Sequence, residues 1–187
     1  MRTTLLALAL LSSTSLFAAD AAKVERIESG NRVSENLPAV PGELLERLNQ
    51  YQNTRGASFQ GWVDNGSMLI ATRFGDTAQI HRVTKPMGMR EQLTFYREPV
   101  GGASIQPAKG GNGFLFSKDI GGNEFFQLHY YDLKSRQVRM LTDGKSRNQG
   151  ALWSQDGSQM AYSSTLRNGK DTDIWVRGLN GEAKLVV

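Results

Sequence analysis

The chain has 187 residues, 39% of them hydrophobic and 21% charged, the balance of a soluble globular protein of about one domain. It contains no cysteine, which excludes disulfides, thiolate metal sites and a cysteine nucleophile. The net charge of +4 comes from basic residues scattered singly among acids; with no basic run, recognition helix or aromatic-basic module, nucleic acid is not expected as a partner.

Met1-Arg2 is a short basic start, Leu5 to Leu11 an apolar run, and Ala19-Asp20-Ala21 a small-residue cleavage pattern. Residues 1–21 therefore predict a secretory signal peptide, cut somewhere between Ala18 and Ala22. The apolar run is too short to span a bilayer comfortably; an uncleaved anchor is the alternative. The expected location is periplasmic or secreted, with no membrane attachment after cleavage. Residues 22–56 form a lead-in. Lys23 to Asn36 is charged and weakly patterned, and reads as loose chain. After Pro38 and Pro41, the spacing of Leu44, Leu45, Leu48 and Tyr51 predicts a short amphipathic helix that packs against the first repeat or another domain.

From 57 to 187 short strands alternate with turn signals. The first unit, about 57–95, runs from Trp62 through an Asp64-Asn65-Gly66 turn to the strand Met68–Thr72. A loop, Arg73–Thr77, then leads to the strand Ala78–Val83, a Pro86-Met87-Gly88 turn and a closing strand, Glu91–Phe95. The second unit, about 101–142, contains Phe114–Ser117, the loop Lys118–Glu124 and the strand Phe125–Tyr131. The third, about 148–187, contains Trp153, the Asp156-Gly157 turn and Met160–Ser164. A polar hairpin over Leu166–Asp171 follows, then Asp173–Arg177, the Asn180-Gly181 turn and Lys184–Val187. Asp-Gly and Asn-Gly are tight-turn pairs, because Gly accepts positive φ and the Asx side chain bonds nearby backbone. β-branched and aromatic residues fill the strands between them.

The units repeat. Trp62, Gly66, Ser67, Leu69 and Thr72 recur 91 positions later as Trp153, Gly157, Ser158, Met160 and Ser163. Thr72, Ser117 and Ser163 lie 45 and 46 apart, and Gln92-Leu93-Thr94 recurs 48 positions on as Met140-Leu141-Thr142. Several strands per unit at this period indicate propeller blades. The predicted fold is all-β: a partial β-propeller of about three four-stranded blades, preceded by a signal peptide and a short helix.

These residues resemble the N-terminal propeller of secreted serine peptidases of the prolyl oligopeptidase family, in the acylaminoacyl-peptidase and dipeptidyl-aminopeptidase branches. The resemblance covers about Leu37 to Val187. It is carried by Tyr51-Gln52-Asn53-Thr54-Arg55, by Thr72 to Thr77, by Gln92 to Phe95 with Glu98-Pro99-Val100, and by Asp119 to Leu128. The Trp153-Ser154-Gln155-Asp156-Gly157 stretch is also similar to the WD-like repeats of TolB-type periplasmic propellers, where Pro usually stands at the position of Gln155. The first resemblance implies a non-catalytic propeller that gates and positions oligopeptides for a following α/β-hydrolase domain. Peptide substrates are then expected only when the propeller is joined to that domain. The second implies a protein-binding module with an envelope protein as partner.

No G-x-S-x-G elbow is present. The nearest string, Gly102-Ala103-Ser104-Ile105-Gln106, lacks the second glycine and sits where a blade begins. No catalytic, cofactor or metal residue is assigned, no cofactor is expected, and substrate-binding residues are unknown. His81 and His129, the only histidines, fall in predicted strands at similar places in successive units, as blade-face side chains; two histidines 48 apart make a poor zinc ligand set. Asp171 and Asp173 lack the third ligand a compact calcium loop needs. Gly110-Gly111-Asn112-Gly113 and Gly121-Gly122 precede strands, not the helix N-terminus of a phosphate cradle. Glu124 and Arg73 fall in or beside loops joining the second and third strands of a blade. In some relatives propeller acids bind a peptide's amino terminus, so the resemblance implies such a role for Glu124, against the plainer role of a structural hydrogen bond.

Propellers typically close with four to eight blades. Three blades make an open arc whose two end faces are apolar and uncovered, a liability for aggregation. The expectation is a truncated product, with self-assembly into a closed ring as its rival.

Overall fold

The computed structural model describes residues 24–63, 66–107 and 111–187. The predicted signal peptide and the Asp64-Asn65 half of the first turn lie outside them. The lead-in is more regular than its sequence suggests. β1 (Arg26–Ser29) and β2 (Arg32–Glu35) pair antiparallel about Gly30-Asn31. Arg26 reaches across this hairpin to Glu35 at 2.5 Å. All of its residues are exposed or nearly so, so burial leaves no periodic trace in the sequence. Its tip rests on the second blade, where the Asn31 N–H donates to the Gly121 carbonyl at 3.4 Å. α1 (Gly42–Gln52) is the expected helix, but none of its residues is buried. Its apolar face of Leu44, Leu45, Leu48 and Tyr51 stays in solvent rather than packing on the first blade. The tie is polar instead: an Arg73 Nη donates to the Gln52 carbonyl at the helix C-terminus, where the macrodipole favours a cation and the last turn of α1 has no basic residue.

Three four-stranded antiparallel meanders follow. The first is β3 (Ala57–Trp62), β4 (Met68–Thr72), β5 (Gln79–Val83) and β6 (Arg90–Gln92). The second is β7 (Ser104–Ile105), β8 (Gly113–Lys118), β9 (Gln127–Asp132) and β10 (Val138–Met140). The third is β11 (Asn148–Trp153), β12 (Gln159–Ser164), β13 (Asp173–Gly178) and β14 (Lys184–Leu185). Strands are adjacent in chain order within every sheet. The protein is a partial β-propeller.

Register corrects one detail of the repeat. Trp62 pairs with Met68, and Trp153 pairs with Met160. Met160 therefore answers Met68, not Leu69, and the counterparts of Ser117 and Ser163 are Ala71 rather than Thr72. The turn after Trp153 is one residue longer than the turn after Trp62, which makes turn residues and strand residues recur at different offsets. In that longer turn the Asp156 carboxylate accepts from Ser154 Oγ at 2.6 Å and from the Ser158 N–H at 3.1 Å. The Ser154 bond first, then those from Ser158, hold its pKa down to about 2.

Successive sheets stack face to face, and the strand alternation of period two assigns the faces. Leu69, Ala71, Ile80, Leu93 and Val100 of blade 1 bury against Phe114, Phe116 and Tyr131 of blade 2. The opposite face of blade 2, with Leu115, Leu128, Tyr130 and Leu141, buries against Met160 and Tyr162 of blade 3. Fully burying one such side chain contributes about 1.5–3 kcal/mol, so each interface depends on the neighbouring blade and a single blade would not stand alone. No helix among the described residues is long and apolar enough to cross a membrane.

Candidate functional site

The first strand of each blade lies innermost, and β7 contacts both β3 and β11. Two glycines shape this inner wall. Gly61 leaves room for Ile105, whose Cδ1 would stand 2.8 Å from a Cβ placed there. Gly150 sits at φ +65° where the β11–β12 register slips, a conformation open to glycine without strain.

Between these strands is a cavity of about 260 Å³. Its polar contributors are Gln60, Ser104, Ser117 and Gly150; Leu115, Phe116, Leu128 and Ala151 supply apolar wall. Gln60 is pinned: its Oε1 accepts from the Ala103 N–H at 2.9 Å and its Nε2 donates to the Ser58 carbonyl at 3.2 Å. The Ser104 carbonyl accepts from Trp153 Nε1 at 3.0 Å. The exposed Ser117 hydroxyl has no protein partner among the described residues. Among the described residues no ionisable side chain lines the cavity. Its chemistry is hydrogen bonding and apolar contact.

The histidines occupy equivalent positions, as the sequence suggested, but do not meet. His81 opposes Gln92, and His129 opposes Met140. Each donates from Nδ1–H to the carbonyl two residues before it, Gln79 at 3.0 Å and Gln127 at 2.9 Å. The His81 ring is edge-on to Phe74, whereas that of His129 stacks on Phe116. Burial lowers the pKa of both. Among the described residues neither is bonded to a serine or a carboxylate. His81 is fully buried with Nε2 unpartnered among the described residues.

Asp171 and Asp173 are drawn together by Arg167, which donates to Asp173 at 2.8 Å and to Asp171 at 3.5 Å. This is a hairpin clasp, and no metal-binding cluster occurs among the described residues. Glu124 is exposed at φ +61°, with its backbone N–H bonded to Asp119 Oδ2 at 3.0 Å. Arg73 is committed to the end of α1. Gly110 lies outside the described residues, while Gly113 opens a strand and not a helix. Gly121-Gly122 is a turn under the β1–β2 hairpin.

Sequence reasoning missed the glutamines that anchor the links between blades. Gln79 Nε2 donates to the carbonyls of Tyr96 and Glu98, both at 3.0 Å. Gln127 Nε2 donates to Ser146 at 2.7 Å, and its Oε1 accepts from Thr142 Oγ1 at 2.7 Å and the Gly144 N–H at 2.9 Å. Their signal was the recurrence of Gln two residues before each histidine. The Gln92-Leu93-Thr94 and Met140-Leu141-Thr142 markers have a matching explanation. Thr94 Oγ1 and Thr142 Oγ1 accept from the N–H of Ile80 and of Leu128 at 2.9 and 3.0 Å. In blade 3 the Val187 carbonyl takes that place against Ile174.

The fold has relatives among solved structures. The protein assigned as TolB in Agrobacterium tumefaciens superposes with a TM-score of 0.55 at 15% identity, over 72% of this chain and 50% of that one. TolB from Acinetobacter baumannii superposes with a TM-score of 0.54 at 19% identity, over 71% of this chain and 32% of that one. The chain thus spans half of the first and about a third of the second. No family model matches the chain, and no curated protein matches it. At these identities the likeness establishes the propeller fold.

Proposed function

We propose that this chain is a protein-binding propeller module of the TolB type, working in the periplasm or outside the cell. The observation that carries the reading is the axial cavity: inner strands of three blades converge on a wall of backbone, amide, hydroxyl and apolar groups with no ionisable side chain among the described residues. Such a wall suits an extended segment of a partner protein, and the similarity to two TolB structures supports the same reading. The peptidase reading uses the same propeller but rests on sequence resemblance alone. The deciding experiment immobilises the chain and identifies envelope proteins captured by it and by an Ala151→Trp variant that fills the cavity. A partner retained by the native chain and lost by the folded variant supports the module. Hydrolysis of an aminoacyl nitroanilide, stopped by a serine-directed inhibitor, would defeat it.

A further inference from the structure

A second cavity, of about 220 Å³, lies at the junction of blades 2 and 3. Blade 2 and the link that leaves it supply Leu141 and Asp143; blade 3 supplies Tyr162, Leu166, Arg177 and Ala183. Both walls belong to blades that are packed together, so the cavity is formed whatever stands beside either of them. It is separate from the axial cavity and shares no lining residue with it.

The polar groups of this cavity are not matched to one another. Tyr162 is 3% exposed, and its hydroxyl, on the cavity wall, has no hydrogen-bond partner among the described residues. Burial raises its pKa, so it stays a neutral donor. Arg177 stands opposite Met160 and shares with Tyr162 the face turned to blade 2. One Nη donates to the Leu141 carbonyl and Nε donates to that of Gly178 at 3.1 Å. Its other Nη has no acceptor among the described residues, and no carboxylate pairs with it there. Asp143 Oδ1 accepts from the N–H groups of Lys145 and Ser146 at 3.1 and 2.8 Å, and Oδ2 accepts from Ser146 Oγ at 2.6 Å. Burial opposes its charge, but these bonds outweigh burial and hold its pKa below the ordinary value. Oδ2 has room for one more donor.

Arg177 and Asp143 are therefore opposite charges that line one cavity without forming an ion pair with each other. Together they are neutral, so a ligand of net charge would leave one charge unbalanced in a partly buried site. A ligand that carries both charges satisfies both. Leu141, Leu166 and Ala183 offer it an apolar wall. The volume is below the roughly 300–1,000 Å³ that hold drug-sized ligands. A small zwitterion with an apolar branch is a free α-amino acid; the end residue of a peptide carries only one of the two charges.

We propose that this junction is a binding site for a free α-amino acid with an aliphatic side chain. Its ammonium donates to Asp143 Oδ2, its carboxylate accepts from the unpaired Arg177 Nη and the Tyr162 hydroxyl, and its side chain lies against Leu141, Leu166 and Ala183. Because the ligand touches both blades, it also stabilises their junction.

Isothermal titration of the purified chain with L-leucine, L-isoleucine and L-valine tests this. L-leucinamide lacks the carboxylate, N-acetyl-L-leucine lacks the ammonium, and glycine lacks the side chain. Saturable binding of at least one aliphatic amino acid is expected, with each leucine analogue and glycine about tenfold weaker or worse. Tyr162→Phe keeps the ring and should weaken binding about fivefold, the loss of one hydrogen bond. Asp143→Asn should bring N-acetyl-L-leucine within about threefold of leucine, a change of preference that a purely structural role would not produce. The analogue series on the native chain decides the matter even where a variant fails to fold. Absence of saturable binding by all three amino acids up to about 10 mM overturns the proposal. So does binding of leucinamide or N-acetyl-L-leucine as tight as that of leucine, or native affinity in both folded variants.

Discussion

Gln79 and Tyr96 bond each other twice: the Gln79 amide donates to the Tyr96 carbonyl at 3.0 Å, and the Tyr96 N–H returns to Gln79 Oε1 at 3.2 Å. A buried side chain at the start of a blade's third strand thereby holds the segment that leaves for the next blade. Gln127 repeats the device, gathering Thr142, Gly144, Ser146 and Asn148 around one amide.

Removing that hub should be costly. Gln127→Ala takes the acceptor from the half-buried Thr142 hydroxyl and the Gly144 N–H and leaves the Ser146 carbonyl with its bond from Asn148 alone; a polar group orphaned in a buried setting costs about 1–3 kcal/mol. Relaxation and water entry reduce the total, so the expected loss is about 2–4 kcal/mol. Urea unfolding measures it, and a loss below about 0.5 kcal/mol, the ordinary range for surface substitutions, would show that the loop is held by other contacts.

Gly113 is a packing requirement. A Cβ there would collide with the Tyr131 carbonyl and with the ring and hydroxyl of Tyr130. Gly113→Ala should cost about 1–3 kcal/mol, the usual range for overpacking. Gly75→Ala, which meets nothing within 4 Å, should stay within about 0.5 kcal/mol. Paired denaturation curves for the two variants check the contrast.

Acid should weaken the fold through the histidines before it reaches the carboxylates. Burial lowers the pKa of His81 and His129 below the ordinary 6.5, so the unfolded chain binds more protons just below that value and stability falls with pH. Glu91, held low first by its bond from Arg82, and Asp143, held low by Ser146 against the opposing effect of burial, lose their contributions only in the carboxylate range. The urea midpoint should therefore drop between pH 7 and 5. A His81→Asn/His129→Asn variant should show a flat midpoint over that interval, whatever its baseline stability. An unchanged slope in the variant would assign the acid sensitivity elsewhere.

The axial cavity is expected to tolerate filling without loss of fold. Gly150 and Ala151 border open space on the inner wall, so Ala151→Trp should shift the thermal midpoint by less than about 2–4 °C, the equivalent of 1 kcal/mol in a domain of this order. Partner binding should nevertheless be abolished. A variant that binds as well as the native chain would move the binding surface away from the axis.

Strands and turns were legible in the chain because they leave local marks. Asp156-Gly157, Asn168-Gly169 and Asn180-Gly181 announce turns, and β-branched and aromatic residues fill the strands between them. Their recurrence made the blades countable, and the count of three agrees with the sheets observed. The β1–β2 hairpin was not legible, since strands exposed on both faces carry no apolar alternation. The frame of the second strands was misaligned by one residue, because a turn can lengthen without altering the pattern on either side of it.

Tertiary structure alone decided the remainder. The sequence shows two histidines in equivalent places, but only packing stacks one on Phe116 at a junction and buries the other edge-on to Phe74. It shows glutamines, but not that they gather the links between blades. It supplies Trp62 and Trp153 as a matched pair, yet one is exposed and the other bonded across an interface. Local propensity is a property of neighbours along the chain, whereas these distinctions depend on which face of a sheet meets another sheet, and that is settled by contacts between residues far apart in sequence.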